Sequence, residues 1–335
     1  MESASAPAPA NALHEVELLS AGMRLRGTPL FLDAHHPTGL SFVSHAHSDH
    51  VARHHKVLAT AATLRLLAHR VGALPSSLPV PFGQPFTLEG IDLELVSAGH
   101  VLGSAQLRMA RKGRCVGYTG DLNTARGLTA EPHGIAFCDV LVTEATFGLP
   151  KYRFPPREET YEAIRGFVRQ ALNDGVAPIL FAYTLGKSQE AMRLLADGGL
   201  EVAVHSSIAD IADIYAAFGC KLAHRRFDGE LRKGEVLIYP TQFNRARALD
   251  KLGPSRTAVL TGWALDSGAR YRYGTDAAFP LSDHADFEGL LDYVKKTGAK
   301  KVLTVHGFAS QFAACLRDRG IDAQPLVAPK QMELF

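Results

Sequence analysis

Within six residues, His45-Ala46-His47-Ser48-Asp49-His50, the chain places three imidazoles and a carboxylate, directly after the apolar run Leu40-Ser41-Phe42-Val43 and the turn residue Ser44. A strand gives such groups a rigid platform, and the turn after it lets successive side chains converge. Imidazole nitrogen and carboxylate oxygen suit zinc and manganese. Four such groups exceed the three protein ligands that one open catalytic ion usually takes, so the spacing points to two cations. Two ions roughly 3.5 to 4 Å apart clamp the attacking and leaving oxygens of a phosphoryl displacement. The chain has 15 histidines, and the pairs His35-His36 and His54-His55 are read as coincidences of that number.

Further ligands must come from elsewhere, and three places answer. Ser97-Ala98-Gly99-His100 follows the alternating run Ile91-Asp92-Leu93-Glu94-Leu95-Val96, and its small residues permit close backbone approach beside the histidine. Tyr118-Thr119-Gly120-Asp121 follows the short strand Arg114 to Gly117, and the apolar run Lys301 to Val305 ends in His306-Gly307. Each repeats the order strand, turn, ligand.

In their sequence order these motifs resemble the metallo-β-lactamase superfamily and, within it, the β-CASP nuclease branch, over nearly the whole chain. The resemblance implies an α/β fold, a metallo-β-lactamase αβ/βα sandwich with an inserted parallel α/β β-CASP domain. It also implies two divalent metal ions, zinc foremost with manganese as the alternative. The first would be held by His45, His47, His100 and Asp121, and the second by Asp49, His50, the shared Asp121 and His306. Asp121 and Asp49 count as catalytic as well as metal-ligating.

Two more segments carry chemistry. Val142-Thr143-Glu144 ends an apolar run in a carboxylate, and Leu281-Ser282-Asp283-His284-Ala285-Asp286 sets a histidine before a helix start. Taken alone, they read as a strand-end contact and a helix-start residue. The resemblance pairs them beside the metals, so that Glu144 orients His284 and favours its protonated form, a general acid for the departing ribose or deoxyribose oxygen.

With 335 residues, 46% of them hydrophobic, the chain can bury one large core or two modest ones. Cys115, Cys138, Cys220 and Cys315 are widely spaced and form no Cys-x-x-Cys pair, which reads as a reducing compartment. No run reaches the length of a membrane span. The first residues are rich in Ala, Pro and Ser without a basic start, a disordered tail over residues 1–14 and not a signal peptide. A cytoplasmic protein with no membrane partner is the expectation.

A net charge of +2 says little about nucleic acid, because affinity follows where cations cluster. Several clusters interleave cations with aromatics, a combination that can follow phosphates and stack bases: Lys151-Tyr152-Arg153-Phe154, Arg225-Arg226-Phe227 with Arg232-Lys233, and Arg270-Tyr271-Arg272-Tyr273. Arg245 with Arg247 adds cations alone. Gly186-Lys187-Ser188 at a helix start after a buried strand could cradle phosphate, or be a plain helix cap. Arg153, Lys187, Ser188, Arg270 and Arg272 are therefore the candidate phosphate contacts.

Residues 15–150 alternate short strands and turns around one clear helix, Ala59 to Val71. From residue 151 the rhythm becomes strand-helix-strand, as in a parallel sheet. The division expected is a first metallo-β-lactamase part at 15–150, a β-CASP domain at 151–254, and a second metallo-β-lactamase part at 255–335, with the site in the cleft between the domains.

Together with Thr146-Phe147-Gly148-Leu149-Pro150-Lys151-Tyr152-Arg153, the Phe181 to Glu190 segment resembles the bacterial DNA-ligase-associated exonucleases. That implies DNA as substrate and a DNA ligase or helicase as partner. His306 leans the other way, since a histidine there goes with RNA-acting members of the branch. DNA is favoured over RNA. A small-molecule metallo-hydrolase would not need the insertion or the Glu144–His284 pair, and a non-catalytic scaffold would have lost ligands. Polarity, endo or exo action, and oligomeric state stay open.

Overall fold

In the computed structural model, which describes residues 16–241 and 252–326, the chain forms three sheets. The expected tail at residues 1–14 and the Arg245 and Arg247 pair lie outside the described residues.

The first sheet has six strands in sequence order: β1 (Val16–Leu19), β2 (Gly22–Leu25), β3 (Leu30–Leu32), β4 (Leu40–Phe42), β5 (Lys56–Ala59) and β6 (Ser77–Pro79). The second contains β7 (Phe86–Leu88), β8 (Ile91–Ser97), β9 (Ala105–Arg111), β10 (Arg114–Tyr118), β11 (Val140–Glu144), β18 (Lys301–Val305) and β19 (Ala323–Pro325), in the order β19-β18-β11-β10-β9-β8-β7. The two sheets face each other across one core, to which Leu32, Phe42 and Leu58 contribute from one side and Leu93, Leu107, Tyr118 and Val142 from the other. Each such leucine or phenylalanine contributes about 1.5–3 kcal/mol by leaving water. Helix α1 (Ala61–Val71) covers the outer face of the first sheet. Its N-terminus is capped by the Thr60 hydroxyl, which accepts from Thr63 N at 3.1 Å, a bond worth about 1 kcal/mol.

The parallel part of the second sheet positions the chemistry. Strands β10, β11 and β18 are neighbours running the same way, with Tyr118 opposite Val142 and Glu144 opposite Val305. Parallel neighbours end at one edge, so Asp121, Glu144 and His306 emerge side by side from segments far apart in sequence.

The third sheet comprises β12 (Ala177–Ala182), β13 (Glu201–Val204), β14 (Arg225–Arg226), β15 (Glu235–Pro240), β16 (Ser255–Leu260) and β17 (Ala277–Phe279), ordered β14-β13-β15-β12-β16-β17, and every pairing is parallel. Helices α2 (Arg157–Asn173), α3 (Lys187–Asp197) and α4 (Ser206–Ala217) pack against it, which is why β12 is apolar along its whole length. This corrects the expected boundary at residue 255. Strands β16 and β17 belong to the inserted sheet, and the chain rejoins the second sheet only at β18. An apolar strand looks the same in either sheet, and its partner β12 is set by tertiary pairing.

From β12 the chain turns through α3 to β13 on one side. From the adjacent β16 it turns through α5 (Ala269–Tyr273) to β17 on the other. The carboxyl ends of β12 and β16 thus flank a reversal of direction, the place where open α/β sheets form a binding crevice. That crevice opens onto the edge carrying Asp121, Glu144 and His306. Helices α6 (Phe287–Thr297) and α7 (Ala309–Arg317) cover the outer face of the second sheet. Among the described residues, no helix is long and apolar enough to cross a membrane.

Candidate metal centre

After β4 the chain stays extended, and Ser44 N donates to Asp33 Oδ1 at 2.6 Å. A single 3-10 turn over Ser48–His50 then brings His50 back under the cluster. The loop after β8 reaches the same place only through Gly99, whose φ is +73° and where a Cβ would lie 2.4 Å from Asn123 O. Alanine there would collide with backbone, so the small residues before His100 are a packing requirement, as their sequence indicated.

The hydrogen-bond network assigns the imidazole tautomers. His47 Nε2 donates to Leu185 O at 3.2 Å and His100 Nδ1 to Asp283 O at 2.6 Å. The Ser44 hydroxyl is spent on Asp33 Oδ2 at 2.6 Å, so it accepts from His45 Nδ1 at 2.9 Å. The opposite nitrogens of all three rings therefore carry lone pairs, and these converge. His47 Nδ1 lies 3.1 Å from His45 Nε2 and 3.0 Å from His100 Nε2. Asp121 Oδ2 is 3.4 Å from His45 Nε2 and 3.7 Å from His100 Nε2.

Three lone pairs and a carboxylate facing one point repel each other unless a cation lies between them. A tetrahedral zinc with bonds of roughly 2.0–2.1 Å sets its ligand atoms about 3.3 Å apart. The residues present fit such an ion. Burial first, and the neighbouring imidazoles next, hold His45 well below its ordinary pKa and His47 at about 3. Burial also brings His100 down to about 4. Neutral imidazole is the ligating form.

The second group is more open. The other oxygen of Asp121, Oδ1, lies 3.4 Å from His50 Nε2, and Asp49 Oδ2 lies 3.7 Å from it. The His306 ring centroid is 5.5 Å from that of His50. Asp49 and His306 are exposed to the cleft while His50 is buried. Burial lowers His50, but Asp121 and Asp33 outweigh it and bring its pKa to about 10, so the position favours positive charge. His306 has φ +58°, and at Gly307 after it a Cβ would stand 2.5 Å from Thr146 Cα.

Glu144 and His284 meet as expected. His284 Nδ1 lies 3.0 Å from each Glu144 oxygen, and its Nε2 points back toward Asp121 Oδ2 at 3.8 Å. Glu144 also accepts from Leu122 N at 2.5 Å and Thr146 N at 3.4 Å. Burial raises the Glu144 carboxyl, yet His284 and these donors hold it at about 2. Burial lowers His284, yet Glu144 and Asp121 bring it to about 9. A cation against Asp121 would offset that carboxylate's share, which leaves Glu144 to keep the imidazole protonated. The pair opens onto a cleft of about 770 Å³ lined by Asp49, His306, Arg70, Tyr183 and Trp263 among others.

The expected phosphate contacts fare differently. Lys187 borders the cleft, but its ammonium is ion-paired with buried Asp283. The Ser188 hydroxyl is buried and donates to Tyr183 O at 2.6 Å, so it is engaged within the protein. Arg153 pairs with Glu288 at 2.6 Å, Arg272 lies 3.7 Å from Asp266, and Arg270 stacks over Tyr271 at 5.0 Å. None of these three arginines lines the cleft. Arg153 and Lys187 meet their counter-charges, Glu288 and Asp283, from segments distant in sequence.

Two residues escaped the sequence reading. Asp33 accepts from Ser44 N and Oγ, from His50 Nδ1 at 3.0 Å and from Tyr118 OH at 2.7 Å, and so orients ligands of both groups. It follows the apolar run Leu30 to Leu32, the same order of strand and turn that marked the ligands. Arg70, at the end of α1, lines the cleft and makes no ion pair or hydrogen bond among the described residues.

A family profile described as "Zn-dependent metallo-hydrolase RNA specificity domain" matches residues 277–324. A probable DNA ligase of Opitutus terrae is 41% identical over 319 residues, covering 94% of this chain. The chain spans 31% of that relative's length. The DNA cross-link repair protein SNM1 of Arabidopsis thaliana is 25% identical over 340 residues, with 88% of this chain and 68% of the relative covered. A crystal structure of a protein of unknown function from Enterococcus faecalis has the same fold, with a TM-score of 0.60 at 15% identity over 87% of this chain and 79% of that one.

Proposed function

The chain belongs to the β-CASP nuclease branch of the metallo-β-lactamase superfamily, and on that premise we propose that it is a two-metal DNA exonuclease acting in repair beside an ATP-dependent DNA ligase. His45, His47, His100 and Asp121 would hold the first ion, and Asp49, His50, Asp121 and His306 the second. When bound, two divalent cations supply charge neutralisation at the phosphoryl group and a nucleophile at neutral pH. The observation that carries the reading is the Glu144–His284 pair beside this set, with Nδ1 of His284 on Glu144 and its Nε2 3.8 Å from Asp121 Oδ2, on the side of the candidate cation positions.

His284 delivers its proton to the departing sugar oxygen, and Glu144 keeps that proton in place. Glu144→Gln removes the charge that raises His284, so the imidazole loses its proton at lower pH. The alkaline limb of kcat is expected to move down by about one unit or more. A limb that stays where it is in the wild type would show that Glu144 does not set this acidity.

Arg70, which lines the cleft and makes no ion pair or hydrogen bond among the described residues, takes a phosphate of the bound strand. Arg70→Ala is expected to weaken oligonucleotide binding and to reduce the salt slope by about one, with metal content unchanged. An unaltered slope would count against the contact. The β-CASP domain in this reading runs from residue 151 to about 279, and a cytoplasmic location fits four cysteines that form no disulfide.

An RNA-processing activity is the second reading. It is favoured by His306 and by the description of the profile matching residues 277–324. The ligase relative favours DNA, since its 41% identity extends over 94% of this chain. End-labelled DNA and RNA of one sequence, digested side by side with zinc and with manganese, decide between them. Stepwise loss of DNA with RNA spared supports the exonuclease, whereas preferred cleavage of RNA overturns it.

A further inference from the structure

Lys187 is 7% exposed, and its partner Asp283 is 2% exposed. They come from different parts of the fold, the start of α3 in the inserted domain and the segment that leads to His284. Asp283 uses its backbone carbonyl to accept from His100 Nδ1 at 2.6 Å, while its second carboxylate oxygen has no hydrogen-bond partner among the described residues. Two residues before Lys187, Leu185 O accepts from His47 Nε2 at 3.2 Å. Gly186 between them has φ +94°, and a Cβ there would meet Asp283 Oδ2 at 3.0 Å and Val101 Cγ1 at 2.7 Å. The loop is thus pressed against the 283 segment, and the ion pair ties the two together.

We propose that Lys187 is a positioning residue for the first cation site: its ion pair with Asp283 locks the two carbonyls, Leu185 O and Asp283 O, that orient His47 and His100. The inserted domain then supplies outer support for the metal centre as well as a wall of the cleft. The inference rests on reading His45, His47, His100 and Asp121 as a cation site. Groups that orient metal-bound histidines typically change affinity by about 10- to 100-fold when removed.

Electrostatics and positioning predict opposite signs here. Lys187 is a positive charge close enough to His47 to disfavour its protonation. By Coulomb's law alone, Lys187→Met removes a repelling charge, unmasks the Asp283 carboxylate and tightens cation binding. By loss of positioning, it weakens binding.

The test is chelator competition on the purified full-length chain with zinc, and with cobalt for its visible spectrum. For Lys187→Met the expected result is an affinity at the first site lower by about 10- to 100-fold, a changed cobalt spectrum and little change at the second site. An unpaired buried carboxylate can unfold a variant, so the double variant Lys187→Met with Asp283→Asn is measured in parallel, and the same weakening is expected. First-site affinity that is unchanged or tighter in a folded variant overturns the proposal. A wild-type chain that binds no zinc or cobalt would instead overturn the reading of the site itself, before Lys187 enters.

Discussion

Asp121→Ala is expected to abolish nuclease activity and to empty both cation positions together. Asp121 presents one oxygen to each group, Oδ2 toward His45 and His100 and Oδ1 toward His50. Removing it leaves the converging lone pairs of the first group without their only negative charge. On the proposed two-metal reading, the ions together would supply several kcal/mol of transition-state stabilisation, so the expected loss is on the order of 10³-fold or more. Metal analysis of the purified variant checks the structural half, and digestion of labelled oligonucleotide the catalytic half. One ion retained at full occupancy would mean that Asp121 serves a single site. Thermal unfolding should be followed as well, because Asp121 is buried beside His45 and His50.

His284→Ala is expected to separate the chemistry from the metals. His284 contacts Glu144 and approaches Asp121, but its ring is not among the three lone-pair donors of the first group. Loss of a general acid typically costs about 10²- to 10⁴-fold, and that is the expected fall in cleavage of a natural phosphodiester. A nitrophenyl ester, whose leaving group departs without a proton, should lose far less. Bound metal should stay at the wild-type level. Equal losses on both substrates would assign His284 to substrate placement, and loss of metal would assign it to the ligand set. The pH behaviour gives the same role a second check. Burial lowers His284, and Glu144 and Asp121 raise it to about 9, but a cation beside Asp121 would cancel that carboxylate's share, so in the metal-loaded protein the acid function is expected to fade as pH climbs through a value lower than this one.

Much of the site was legible because its chemistry is local. His45, His47, Asp49 and His50 sit within one turn after a strand, and no arrangement of the rest of the chain is needed to see four metal-binding groups there. His100, Asp121 and His306 repeat the order of apolar run, turn and ligand. A strand end fixes where a side chain emerges, so that order carries geometric information even before the strands are paired. Asp33 obeys it too, and would have been found by asking which carboxylates follow the same pattern.

What the sequence by itself offered is therefore a set of candidate ligands and a change of rhythm near residue 151, while the pairing of Glu144 with His284 was an expectation of the family resemblance. What only tertiary structure decided is pairing, between strands and between charges. Whether β16 belonged to the second or the third sheet depended on β12, 78 residues away (Ala177 opposite Ser255), because an apolar strand buried on both faces carries no mark of its neighbour. The basic clusters failed as predictors for a related reason. A charge is neutralised by whatever the fold brings within a few ångströms of it, and Glu288 and Asp283 arrive at Arg153 and Lys187 from distant segments. Lys187 shows both sides of this: its position at a helix start after a buried strand was readable, but its partner was not, and the partner decides whether it meets phosphate or holds a metal site in shape.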